Sequence, residues 1–309
     1  MSDSKFGDAI VSQLAVKMKE WKSDEVLGKL YQCPLKKALI NLKNIGYGAI
    51  AEVVESEKGL RQALLLRKNM ADIKLPFKEK LSKWIVEDWG GITTGKASLK
   101  NCIAKADAGD FDFNRIASWS KNSAFGKPKD YAIYDARVIY SLNWLLFKAG
   151  SNYYFPTPSG RNSVMELLNY QILLFIGHYK VEGIREKLKT DIESRETSPG
   201  NKSSFSNKLK RDLFIKEKEA FKEYCSLLKS VTRKLYPNDQ EGVTKVEMML
   251  FSLADKNIAL EVLGAFQASS KTNALAADEN CSTLFQLRAP QSNLSIGRIK
   301  GLLDIRKTR

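Results

Sequence analysis

The 309-residue chain carries one histidine, His178, and four cysteines, Cys33, Cys102, Cys225 and Cys281, with no CxxC pair among them. That inventory argues against a metal site, a redox dithiol, and Ser-His-Asp or Cys-His nucleophile systems. Any chemistry must fall to carboxylates or lysines, without a cofactor. The segment that offers both is Arg115-Ile-Ala-Ser-Trp-Ser-Lys-Asn-Ser-Ala-Phe125, followed by Tyr131-Ala-Ile-Tyr-Asp-Ala-Arg-Val138. Asp135 ends a short apolar approach and opens an amphipathic helix. A carboxylate so placed can stabilise a developing positive charge and activate a water, or it can simply cap the helix. Lys121 can contact a phosphate or attack an electrophilic carbon to form a Schiff base.

Helices must hold these residues in place. Phe6, Ile10, Leu14 and Met18 recur every four residues, and Leu35, Leu39 and Leu42 continue the pattern after Pro34. Pro76 opens a segment in which Phe77, Leu81, Trp84 and Ile85 share a face, and Gly90-Gly91 stops it. Leu99, Cys102, Ile103 and Ala106 mark a further helix ended at Gly109. Val138, Ile139, Leu142, Leu145 and Leu146 form the apolar stripe behind Asp135. A loop at 151–160 and a largely buried helix at 164–176 follow. Leu209, Leu213, Phe221, Leu228, Val231 and Leu235 support a long amphipathic helix, and Thr244 with Glu247 has capping-box spacing before another that runs to about Phe266. The fold expected is all-α or nearly so, in two lobes. A helical domain over 1–190 carries Lys121 and Asp135, 191–206 is a linker or surface loop, and 207–309 is a C-terminal helical lobe with short strands at 283–287 and 294–299. His178 reads as a helix-end structural residue and the cysteines as buried free thiols.

Fifty Lys and Arg stand against 35 Asp and Glu, a net charge of +15. A surplus of that size attracts polyanions through counterion release, so nucleic acid is the expected partner. No apolar run reaches the roughly 18–20 residues of a membrane span, and the Met-Ser-Asp-Ser start lacks a secretory apolar region, which points to the cytoplasm.

The segment around Lys121 and Asp135 resembles the helix-hairpin-helix DNA glycosylase superfamily, with its 8-oxoguanine-glycosylase-like fold. In that superfamily a lysine on the second helix of the hairpin is followed by a catalytic aspartate in a Val-Asp-x-x-Val-like context at a helix start. Asp135, within Ile133-Tyr-Asp-Ala-Arg-Val138, matches the aspartate and Lys121 the lysine. The interval of 14 residues is shorter than usual in the family, and Ala117-Ser-Trp-Ser120 stands where the hairpin glycines would. The general character is similar to that of bacterial anti-phage glycosylases. The resemblance implies double-stranded DNA as partner, a base flipped from the stack, and hydrolysis of its bond to the sugar through an oxocarbenium-like transition state. Asp135 would stabilise that state; Lys121 would bind or attack the abasic sugar. Ser118, Ser120, Asn122, Lys127, Lys129 and Arg137 would meet the DNA backbone. Trp89, Trp119, Tyr131 and Tyr134 would wall the base pocket, with Glu87 and Asp88 accepting hydrogen bonds; Trp84 lies on an apolar stripe and reads as core. A glucosylated hydroxymethylcytosine is the leading base and oxidised guanine the competitor. Without the resemblance, a noncatalytic helical DNA- or RNA-binding module, or a protein-interaction scaffold, stays open.

Overall fold

The computed structural model describes residues 5–31, 35–73, 78–93, 95–108, 113–158 and 213–265. The expected linker at 191–206, the helix at 164–176, His178 and the short C-terminal strands lie outside them. The fold is all-α. Among the described residues, in chain order, the α-helices are α1 (Asp8–Met18), α2 (Asp24–Leu30), α3 (Lys36–Asn44), α4 (Gly48–Glu55), α5 (Gly59–Ala71), α6 (Lys78–Lys83), α7 (Lys96–Ala108), α8 (Ile116–Gly126), α9 (Ala136–Lys148), α10 (Glu217–Leu235) and α11 (Gly242–Leu253). A π-helical stretch, Trp84–Trp89, follows α6, and another, Ala254–Ile258, follows α11. Among the described residues the one β feature is an isolated parallel bridge between Tyr154 and Phe214. No helix described is long and apolar enough to cross a membrane.

Residues 1–259 form one compact unit and 260–309 another. Helices α10 and α11 pack against α1, α2 and α9 inside the first unit, so chain on both sides of 191–206 builds the same body. Two apolar centres fill it. Leu39 and Leu42 of α3, Val54 of α4, Leu66 and Met70 of α5, Trp84, and Phe125 of α8 make one. Its Trp84 ring is fully buried and donates its Nε1–H to the Ala38 carbonyl at 2.7 Å, which secures it as core. The stripe of α9 makes the other, buried together with Phe221 and Leu228 of α10 and Met249 and Leu250 of α11.

Three local expectations change. Helix α10 begins at Glu217, because Tyr154 claims the Leu213 carbonyl and the Ile215 amide at 2.9 Å each, holding that stretch extended. Thr244 and Glu247 are both buried inside α11, which starts at Gly242, so they form no capping box. The turn before α8 also lies upstream of 117–120. Arg115 adopts the left-handed conformation (φ 56°), and its carbonyl accepts the Ser118 and Trp119 amides. Ala117–Ser120 are therefore helix, where glycines would weaken the element rather than make a turn.

Candidate active site

Asp135 is the N-cap of α9: its side chain accepts the Arg137 amide at 2.9 Å. That leaves the second carboxylate oxygen facing Lys121 of α8, whose Nζ lies 3.7 Å from Oδ2. The lysine side chain is 5% exposed and the aspartate 26%, so the pair has a dry side and a wet side. Lys121 Nζ also donates to the Ala117 carbonyl one turn back, at 2.9 Å. Burial pulls the Lys121 amine below its ordinary pKa, and the charges of Asp135 and Glu247 offset only part of that effect.

Gly90 makes the seat for the lysine. A Cβ there would stand 2.7 Å from the Val86 carbonyl and 2.8 Å from both Cδ and Cε of Lys121, so the alkyl chain lies directly on backbone. The π-helical turn Trp84–Trp89 delivers Gly90 to this place. Gly91 then closes it at φ 66°, donating to the Glu87 carbonyl, while Ile92 donates to that of Val86.

The strap Tyr131–Asp135 is tied at its start by the Tyr131 amide donating to the Lys127 carbonyl at 2.9 Å, and side chains satisfy the backbone of Ile133 and Tyr134. Glu247 of α11 accepts the Ile133 amide at 2.7 Å, and Tyr224 of α10 donates to the Ile133 carbonyl at 2.8 Å. Ser120 of α8 accepts the Tyr134 amide at 3.1 Å. Glu247 is itself clamped by Arg67 of α5, with Nη1–Oε2 at 2.8 Å and Nη2–Oε1 at 2.5 Å. Both members of this pair are buried. The Arg67 guanidinium lies over the rings of Phe125 and Trp89, 5.3 Å and 5.9 Å from their centroids. Burial works against the arginine's charge, but Glu247 more than compensates and its pKa is raised.

The other expected site residues divide sharply. Ser118 and Ser120 are buried, and Ser120 is occupied by the strap, so neither faces a phosphate. Trp119 and Tyr134 are fully buried; Trp119 packs edge-on to Phe221, and Tyr134 packs edge-on to Tyr224 and donates its hydroxyl to the Pro156 carbonyl. They hold α8 and the strap rather than wall a pocket. Tyr131 is half-buried and stacked on Phe221. Arg137 pairs with Asp255 at 3.3 Å and lies over the Phe251 ring. Asp88 accepts from Asn41, and Glu87 lies 3.9 Å from Lys83. Lys127 and Lys129 are exposed. Trp89 is half-buried against Phe125 and Gly90's neighbours, and its Nε1–H has no partner among the described residues. Both amide atoms of Asn122 are buried and equally unpartnered there.

No family model, curated protein or solved structure matches the chain.

Arg67, Glu247, Tyr224 and Gly90 are the residues that reading the sequence missed. The signal for two of them was present: Arg67 ends the run Leu64-Leu-Leu66, and Glu247 interrupts Val246-Glu-Met-Met-Leu250. A lone charge inside an apolar run is costly to bury unless it is paired, so two such runs in one chain ask to be joined. Among the described residues no group of His, Cys, Asp and Glu could hold a metal. Cys102 and Cys225 are buried free thiols, with burial pushing Cys225 up to about 12.

Proposed function

We propose that this protein is a DNA glycosylase that takes a modified or damaged base out of the duplex and hydrolyses its bond to the sugar. The observation that carries the reading is the Lys121–Asp135 pair: an amine held in a dry seat, 3.7 Å from a carboxylate whose other side is open. Breaking an N-glycosidic bond builds positive charge on the deoxyribose, and a fixed, half-open carboxylate is suited to oppose that charge and to orient the attacking water. Its Oδ1 is tied to the Arg137 amide, so the group does not have to reorganise as charge develops. A buried lysine with a lowered pKa suits attack on the abasic sugar once the base has left. Of the expected pocket walls, Trp89 and Tyr131 are the ones that keep a half-exposed ring. A glucosylated hydroxymethylcytosine of phage DNA is the preferred substrate, and oxidised guanine the alternative.

The second reading, a noncatalytic nucleic-acid-binding module, draws on the burial of Trp119 and Tyr134, which removes two of the expected pocket walls. The experiment that separates them incubates the protein with unmodified, oxidised-guanine and glucosylated DNA and scores abasic sites by alkali. We expect release from one DNA, reduced about 100-fold or more in Asp135→Asn with DNA binding intact. Asparagine caps a helix as well as aspartate does, so a lost signal cannot be blamed on unfolding of α9. Salt-sensitive binding with no base release from any DNA would select the binding module.

A further inference from the structure

The Arg67–Glu247 pair lies beneath the site and belongs to none of the roles given so far. Replacing a buried ion pair by apolar side chains of like volume is often neutral or stabilising, so stability alone is a poor reason for one. This pair reaches the strap, the residue before the Gly90 seat and the helix that carries Lys121. Glu247 accepts the amide of Ile133, two residues before Asp135. Arg67 lies over Trp89, next to the Gly90 seat, and over Phe125, one turn beyond Lys121 on α8. We propose that Arg67–Glu247 is the positioning pair of the Lys121–Asp135 centre: Glu247 fixes the strap that carries Asp135 and supplies the negative charge that Lys121 meets from the protein interior, while Arg67 holds Glu247 in register.

The charged and titratable groups around the two are few. Lys121 faces Asp135 from the start of α9, Glu247 from α11 and Arg67 from α5. Glu247 faces Arg67 and Lys121, and also Tyr224 and Cys225 of α10, both of which burial and its charge keep protonated. Tyr31, after α2, faces Arg67. Glu247→Gln keeps an acceptor for the Ile133 amide but removes the charge, leaving Lys121 with Arg67 on one side and only Asp135 to balance it. Whichever protonation state of Lys121 the reaction uses, the limb of the pH–rate profile that reports it moves to lower pH, by about one unit. A purely structural pair would lower the rate at every pH alike.

What the site does rests on the glycosylase reading; its geometry does not, and the test separates the two. Unfolding midpoints are measured for the full chain, Lys121→Met, Glu247→Gln and the double variant. We expect Lys121→Met to raise the midpoint more in the Glu247→Gln background than in the wild type, because the ammonium has lost its compensating charge. Equal rises would overturn the electrostatic role, whether or not the protein acts on DNA. If Glu247→Gln does not fold, Arg67→Met/Glu247→Gln is compared with Arg67→Met/Glu247→Leu, neither of which leaves Arg67 or Glu247 as an unpaired charge. Only glutamine can accept the Ile133 amide, so kcat for base release should fall at least tenfold in the leucine variant with KM unchanged. Matching rates would sink the positioning role. Unequal midpoint rises with no base release from any DNA would uphold the pair and dismiss the glycosylase.

Discussion

Lys121 is a residue whose protonation the fold disfavours. In the folded chain burial lowers its pKa, whereas in the unfolded chain it titrates at its ordinary value. Between those two values the unfolded state binds the extra proton, so stability rises with pH through that window and the full penalty applies below it. Lys121→Met should therefore raise the melting temperature at neutral pH by roughly 2–5 °C, with the gain shrinking as the pH is taken up through the lysine's folded pKa. Calorimetry across neutral to alkaline pH checks this; a variant less stable than wild type at neutral pH would mean that the lysine stabilises the fold rather than burdens it. Asp135 differs: its cap role uses Oδ1 and its proposed chemistry Oδ2, so asparagine preserves one and removes the other.

At the scale of the element, the π-helical turn after α6 decides where the lysine goes. Gly90→Ala places a methyl against the Val86 carbonyl and the Lys121 chain. Backbone cannot yield as a flexible side chain can, so we expect a loss of about 1–3 kcal/mol in urea unfolding and base release reduced further than in a surface glycine variant such as Gly126→Ala, whose added Cβ meets nothing. Most helices were legible from their apolar periods, and the cap role of Asp135 from its place before the stripe of α9. Reading failed where one spacing has two meanings. Thr-x-x-Glu caps a helix only at its start; in the interior the same spacing puts both residues on one face, and Glu247 turns inward to a partner 180 positions away. Similarly, Ser118 and Ser120 look like phosphate ligands until a left-handed Arg115 moves the turn upstream and rolls them into the body. Local spacing carries no information on such distant partners, and only the packing of α5, α8, α10 and α11 supplies it.

For the whole molecule, the surplus of positive charge sets the terms of encounter. Several cations are already paired at the surface, among them Lys5 with Glu219, Lys43 with Glu55 and Lys229 with Asp130, while Lys127 and Lys129 beside the site are exposed. Raising salt from about 50 to about 200 mM should weaken DNA binding roughly 100-fold, as expected for about four phosphate contacts. Lys127→Gln/Lys129→Gln should flatten that slope without changing which base is released. Fluorescence anisotropy titrations at several salt concentrations would show it, and a slope near zero in the wild type would remove DNA as the partner.

The strap that carries Asp135 is held by Ser120, Tyr224 and Glu247, and Glu247 by Arg67. A chain leaving the ribosome presents Lys121 and Asp135 together within 14 residues of synthesis, yet the clamp on the strap cannot close until Glu247 has also emerged, more than 100 residues later. Nascent and prematurely terminated chains therefore contain both side chains but not the framework that aims them. The proposed base release would thus be withheld until nearly all of the compact unit has been made.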